Sequence, residues 1–438
     1  MSVIITDARR RHPTARLRPG QRPPRVEAPQ RPRGRERREL ARAARAERRS
    51  SRRERRFGVV AEGTSSPPLF WTLLGTIVAL CLLGLVFVLS ASAVRADRRF
   101  DSSWYWFQRQ GVFLGLGMVM LMIGLCVPYR TWIRLAGPIL GVTTLMLVVV
   151  LIPSSISHEV NGSRRWIGPE LAQFQPSELA KLAMILWLAR LLSRRMDQIR
   201  DVGATIVPAG MVLATLALLI YLEPDLGTAV LLVAITFAML TVAGARVDVL
   251  MLAAIPVAVI GVVLAFSDYR WARMMAFVDP WKQETTAGWQ VIQSRVGIAS
   301  GGVFGVGLGN GRSKWGFLPE AHTDFIYSVI GEELGLIGCL AVLAAFLLFI
   351  VAGITAGRRA RDTSGMLIAI GISTWVGLQA LVNIGVAIGV LPNKGLTLPF
   401  VSYGGSSLTL TLFAAGILLN VARNPAVRPP VRTRRVQR

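Results

Sequence analysis

The 438-residue chain is 52% hydrophobic and only 17% charged, where an ordinary soluble protein carries charge on about a quarter of its residues. With a mean hydropathy of +0.48, and long apolar runs from residue 69 to residue 421, this excludes a soluble globular enzyme and indicates a polytopic membrane protein. The net charge of +25 is unevenly placed, because residues 1–60 hold 20 arginines against six acids.

The chain opens with that arginine-rich stretch, also rich in proline and alanine. Residues 1–66 are expected to be a disordered cytoplasmic tail. Beside a first membrane span, such a tail points to an anionic membrane face rather than to nucleic acid. No apolar stretch precedes residue 69, so a cleavable signal peptide is not expected.

A bilayer-crossing helix needs about 20 mostly apolar residues. Ten such spans are expected, at 69–92, 107–127, 133–153, 176–192, 202–222, 226–243, 247–267, 325–352, 366–390 and 406–422. The fold class is therefore all-α, one membrane domain over 67–424 followed by a basic tail at 425–438. Arg130 and Arg134, then Arg194, Arg195 and Arg200, then Arg246, then Arg358, Arg359 and Arg361 fall in alternate loops. By the positive-inside tendency these loops and both termini are cytoplasmic. Arg95, Arg98 and Arg99 run against the pattern in the first external loop. The opposite face carries three unusual loops at 154–175, 268–324 and 391–405, the second being the largest and lying between helices seven and eight. Their Trp, Phe, Pro and Gly content is unlike a disordered spacer, and the working face is expected to be outside.

The three cysteines, Cys81, Cys126 and Cys339, all fall in apolar spans, which argues against a disulfide framework. His12, His158 and His322 are scattered and form no metal-spaced cluster.

The segment LPEAHTDFIYSVIGEELG, Leu318 to Gly335, places four acids at and inside an apolar run. Charge at bilayer depth is costly and marks chemistry or transport. Asp324 precedes the eighth span. It reads first as a helix N-cap and, compatibly, as a general base or cation ligand at an outer cleft. Glu332 and Glu333 lie about 12 Å deeper along the helix and read first as structural partners of a buried base. Glu178 and Lys181 share a helix face and could form a buried ion network with Asp225, either as support or as site lining. On the outer side, Arg164, Arg165, Arg270, Arg273, Lys314 and Lys394 are candidates for phosphate contact, against the alternative of surface cations at the headgroups. The glycine run at 301–311 is only a loose echo of a nucleotide fingerprint, with no strand–turn–helix unit to use it. No GxSxG, Walker or Ser/His/Asp pattern is present.

Several ordered segments resemble the SEDS family (shape, elongation, division and sporulation). They are Phe174-Gln175-Pro176-Ser177-Glu178 with Lys181, Glu223-Pro224-Asp225-Leu226-Gly227-Thr228, and Gly288-Trp289-Gln290 with Gln293-Ser294. The glycine run, Leu318–Gly335 and Gly395–Ser407 complete the set. The resemblance covers about residues 69–422, and PEAHTDF with NKGLTLPFVSYGGSS looks most like the division branch. Asn393 departs from that pattern, where a threonine is common. The resemblance implies a peptidoglycan glycosyltransferase that polymerises lipid II outside the cytoplasmic membrane, at the division septum, with release of undecaprenyl diphosphate. It places the essential acid at Asp324. It implies a polar cavity supported by Glu178, Lys181 and Asp225, with Gln290, Gln293 and Ser402 as further support. A divalent cation, Mg or Mn, could assist at Asp324. The implied partners are lipid II and the growing glycan strand, a class B penicillin-binding protein and other division proteins, with no nucleic acid. A lipid II flippase and a non-catalytic division scaffold are the competing readings.

Overall fold

A computed structural model describes residues 67–153, 157–160, 163–169, 173–265 and 268–424. The arginine-rich tail at 1–66 and the basic tail at 425–438 lie outside the described residues. The described part is helical except for one short hairpin. Its helices are α1 (Pro67–Phe100), α2 (Tyr105–Cys126), α3 (Tyr129–Leu151), α4 (Pro176–Arg194), α5 (Val207–Leu222), α6 (Leu226–Ala243), α7 (Val247–Ala265), α8 (Asp268–Val278), α9 (Ala287–Gly301), α10 (Ile326–Arg358), α11 (Thr363–Ala387) and α12 (Gly405–Arg423).

Among the described residues, eight helices are long and apolar enough to cross a membrane: α1, α2, α3, α5 with its entry turn, α6, α10, α11 and α12. The other two expected spans, the fourth and the seventh, correspond to α4 and α7. Helix α4 falls short because it carries Glu178, Lys181, Arg190 and Arg194. It tolerates them because it is central: every residue from Leu182 to Leu186 is buried, and it packs between α3, α6 and α11. Glu178 and Lys181 face protein rather than lipid, the condition under which charge survives at membrane depth.

Helix α1 has 34 residues and is therefore about 50 Å long, longer than a bilayer is thick. Its C-terminal turns carry Arg95 beyond the apolar layer, where the guanidinium pairs with Glu320 at 3.0 Å. This resolves the exception to the charge pattern for Arg95. The guanidinium serves an external loop, and topology is set by the other loops.

Two external loops contain structure that the sequence pattern does not announce. The first expected loop, 154–175, holds an antiparallel hairpin of β1 (Ser157–Val160) and β2 (Ser163–Ile167). Phe174 extends it through a bridge to Ile167. The loop expected at 268–324 contains α8 and α9, and α9 packs against α10.

Helices α2 and α12 pack in backbone contact. A Cβ at Gly416 would lie 2.2 Å from the carbonyl oxygen of Leu121, and one at Gly124 2.6 Å from that of Phe413. Small residues let membrane helices approach to backbone contact, where dispersion and not the hydrophobic effect drives association.

Candidate active site

Helix α10 is interrupted at Gly335, whose φ of 66° is open to glycine and costly for other residues. A break at membrane depth strands backbone donors and acceptors. The chain after α9 supplies partners for them. Val306 and Gly307 donate their N–H groups to the carbonyls of Glu332 and Glu333, and Leu336 and Ile337 donate to those of Gly302 and Val303. The glycine run is needed for this contact, since a Cβ at Gly305 would sit 2.1 Å from the Glu333 carbonyl oxygen. The Glu332 carboxylate accepts from the N–H of Arg312 at 2.6 Å and of Ser313 at 3.1 Å. Glu333 accepts from the Ser90 hydroxyl at 2.6 Å. Their role is structural, but among the described residues no base pairs with them: Glu332 holds the loop after α9 to the broken helix, and Glu333 ties that helix to Ser90 of α1.

Asp324 lies two residues before α10 and points elsewhere. The cap position of α10 is Phe325, with no side-chain cap hydrogen bond, so the capping reading of Asp324 is corrected. Among the described residues its carboxylate accepts no hydrogen bond. Its backbone is held instead: its carbonyl accepts from Asn383 at 2.9 Å, and the same amide donates to the carbonyl of Leu396 at 2.7 Å. Ser402 donates to the carbonyl of Thr323 at 2.6 Å and accepts from the N–H of Leu398 at 2.8 Å. The N–H of Tyr403 donates to the carbonyl of His322. The loop bearing Asp324 is thus sewn to the 395–405 loop. Both loops contain a non-glycine residue at positive φ, Glu320 at 53° and Phe400 at 65°, the kind of strain that persists where surrounding structure over-determines the backbone.

The carboxylate opens into a cavity of about 380 Å³. One wall is cationic, formed by Arg165 from the hairpin, Arg273 from α8, Lys394 from the loop before α12, and Arg109 from α2. A second wall is aromatic. Trp106 stands edge-on to Tyr403 with ring centroids 4.8 Å apart and lies 5.2 Å from His322. Burial, with Glu320 adding, pushes the Asp324 carboxyl up to about 6, against the pull of Arg273 and Arg165. It is ionised but basic at neutral pH. Burial pushes His322 down to about 4, so it is a neutral member of the aromatic wall at pH 7. Glu223 is fully buried with both carboxylate oxygens unpartnered among the described residues. Burial, then Asp225, pushes it up to about 9, so it is a neutral acid at pH 7.

Below the cavity sits the buried polar set. Lys181 donates to Glu178 at 2.7 Å and to Gln379 at 2.9 Å, and its ammonium lies 4.9 Å from the Trp375 ring centroid. Gln379 also accepts from the Trp375 indole and donates to the carbonyl of Thr397. The expected three-member network is modified at Asp225. That residue is the N-cap of α6, accepting from the N–H and hydroxyl of Thr228. It joins the floor of the cavity through Gln175 and Ser177 rather than through Lys181.

Of the expected phosphate contacts, Arg165, Arg273 and Lys394 line the cavity. Arg165 is also fixed by donating to the carbonyls of Glu223 and Pro224. Arg164 does not line it. Lys314 does not either, and donates to the carbonyl of Gly309 in the glycine run. The side chain of Arg270 lies outside the described residues. Gln290 and Gln293 stand apart from the lining, and Gln290 accepts from Asn393 at 3.0 Å. Ser402 acts from behind, as the loop clamp just described. A metal cage does not fit here: among the described residues no group of three or more His, Cys, Asp and Glu could hold an ion, and the nearest strong charges opposing Asp324 are arginines. The donor set suits an anion.

The residues that sequence reasoning missed are Trp106, Arg109, Glu320, Gln379 and Asn383. Trp106 and Arg109 share one helix face at the outer end of α2, and that spacing was the available signal.

Residues 71–426 match a family model described as "Cell cycle protein", FTSW_RODA_SPOVE. The chain belongs to this family. It is 42% identical over 346 residues to a protein of Geobacter metallireducens named "Probable peptidoglycan glycosyltransferase FtsW", covering 79% of this chain and 92% of that one. It is 42% identical over 355 residues to "Stage V sporulation protein E" of Bacillus subtilis, covering 80% and 96%. Among solved structures, it superposes with a TM-score of 0.67 at 32% identity on a chain described under "Structural coordination of polymerization and crosslinking by a peptidoglycan synthase complex", covering 81% and 97%. Rod shape determining protein RodA of Thermus thermophilus gives 0.60 at 30% identity, covering 81% and 96%.

Proposed function

We propose that this membrane protein is a peptidoglycan glycosyltransferase that polymerises lipid-linked disaccharide units, of the lipid II type, at the outer membrane surface. The observation that carries this reading is the half-buried Asp324 carboxylate, which accepts no hydrogen bond among the described residues and faces a cavity walled by Arg165, Arg273 and Lys394. A base opposite cations is what glycosyl transfer from a diphosphate requires. The acceptor sugar hydroxyl attacks the anomeric carbon, a C–O bond forms, and the bond from that carbon to the diphosphate oxygen breaks. The hydroxyl proton passes to Asp324, and the lipid diphosphate leaves with the bonding pair. The cations stabilise the growing charge on that leaving group, and the aromatic wall offers an apolar face to a sugar ring. The names of the relatives and the family membership support the same activity.

The similarity to a chain from a complex that couples polymerisation to crosslinking supports a transpeptidase of the penicillin-binding type as partner. Relatives named FtsW support a role at the division septum. The test is purified protein with its partner and labelled lipid II. Polymer that disappears in Asp324→Ala supports the enzyme. Transbilayer movement of lipid II without polymer, unchanged by that substitution, would replace it with a flippase. Full complementation of a depleted strain by Asp324→Ala would leave a scaffold.

A further inference from the structure

The α2–α12 pair frames a second pocket at its opposite end. Trp106 and Gly405, near the starts of these helices, line the Asp324 cavity. Cys126 and Arg423, at their ends, line a pocket of about 510 Å³. Helix α2 has 22 residues and so runs about 33 Å. That is about the thickness of a hydrocarbon core, and the second pocket therefore opens at the other membrane surface. The arginine pattern assigns that surface to the cytoplasm.

Three arginines line this pocket, Arg130 from α3, Arg361 from the turn before α11, and Arg423, with no acidic side chain in the lining. Asp362 behind it accepts from Arg130 at 3.0 Å, from the Tyr129 hydroxyl at 3.0 Å and from the N–H of Gly365 at 2.8 Å. The floor is built: Asn420, 5% exposed, donates to the carbonyl of Leu125 at 2.6 Å and accepts from the N–H of Tyr129 at 3.2 Å. The residues that follow, 425–438, carry five arginines and no acidic side chain. From the pocket an apolar surface runs into the bilayer layer, with Val119, Met122 and Ile123 exposed on α2 and Leu135 and Val142 exposed on α3.

An anionic site at a membrane surface, continuous with an apolar track, has the form of an amphiphile. We propose that this pocket binds the phosphate headgroup of an anionic phospholipid, with Arg130, Arg361 and Arg423 around the phosphate and the acyl chains along α2 and α3. Basic pockets between membrane helices on the cytoplasmic side recognise lipids in this way, and planar guanidinium groups suit phosphate oxygens.

The experiment uses the full chain in nanodiscs of phosphatidylcholine alone or with phosphatidylglycerol or cardiolipin, and native mass spectrometry to count retained lipid. The expected result is preferential retention of the anionic lipid, weakened about tenfold or more in Arg361→Gln/Arg423→Gln. Undiminished retention in that variant would place binding elsewhere, the arginine tails included, and overturn the proposal. Should the variant fail to fold, the native protein gives the answer. Cys126 is exposed while Cys81 and Cys339 are buried, so maleimide labelling of Cys126 reads occupancy directly. Anionic lipid should slow it at least about threefold relative to phosphatidylcholine, and an unchanged rate overturns the site. Inorganic phosphate that protects Cys126 as well as the lipid does, at matched millimolar concentration, would assign the pocket to a free anion and overturn the lipid.

Discussion

Asp324 and Glu332 belong to the same eighteen-residue motif and have the same functional group, yet they do opposite work. Glu332 spends both carboxylate oxygens on backbone N–H groups of Arg312 and Ser313, and so joins the glycine run to a broken helix. Asp324 is held by its backbone carbonyl, and its carboxylate opens into a cavity. An acid whose hydrogen bonds are all made inside the fold has no capacity left for substrate. An acid immobilised through its main chain keeps that capacity.

The comparison breaks most visibly under isosteric amides. Asp324→Asn removes the base and leaves the shape, so polymerisation should fall about 10²–10⁴-fold with no loss of thermal midpoint. Loss of midpoint equal to that of a misfolded control would make Asp324 structural after all. The next largest effect lies in the polar floor. Lys181→Met leaves Glu178 buried without its cation, and breaking such a pair costs about 3–5 kcal/mol. Expression and detergent stability should drop, and Glu178→Gln in the same chain should recover much of the loss. No recovery would mean that Lys181 acts through Gln379 and Trp375 instead. Glu332→Gln keeps one acceptor and weakens a charge-assisted pair of bonds, a cost of roughly 1–3 kcal/mol. Its polymerisation per folded molecule should stay within about twofold of the parent, the reverse of the amide at Asp324.

How much of this was readable beforehand follows the range of the interactions. The spans were legible because hydropathy is local, and Asp324 stood out because an acid beside an apolar run is rare. The family motifs carried Glu178 and Lys181 to the right region, and the excess of cations on the outer face carried Arg165. The hairpin at 157–167 was not legible, since its strands are four and five residues long and are ordered by the bundle around them. Trp106 and Arg109 were missed because the cavity joins α2 to loops some 60 to 300 residues away in sequence. Arg164 and Arg165 are adjacent and looked alike; only Arg165 lines the cavity, fixed there by the carbonyls of Glu223 and Pro224, a contact between segments about 60 residues apart. Gln290 was matched by motif, and the structure gives it Asn393 rather than the cavity.

The smallest expected effect distinguishes a base from a structural acid by sign alone. Asp324 has its carboxyl raised from 3.8 to about 6 by burial and Glu320. Catalysis needs the ionised form, so the rate should rise with pH up to about 6 and level off above it, falling about tenfold per unit on the acid side. Stability runs the other way. Between pH 4 and 6 the folded state binds more protons at this site than the unfolded chain, so its contribution is full below 3.8 and is lost as pH rises through 6. Because the carboxylate is partly exposed to solvent in the cavity, the loss is of order 1 kcal/mol. Thermal midpoints of the parent and of Asp324→Asn, measured from pH 4 to 7.5, should therefore converge at the acid end, with the amide the more stable at pH 7. A parent that gains stability relative to the amide over this range would mean that its carboxylate is paired in the folded protein, and the base would have to be sought elsewhere in the cavity.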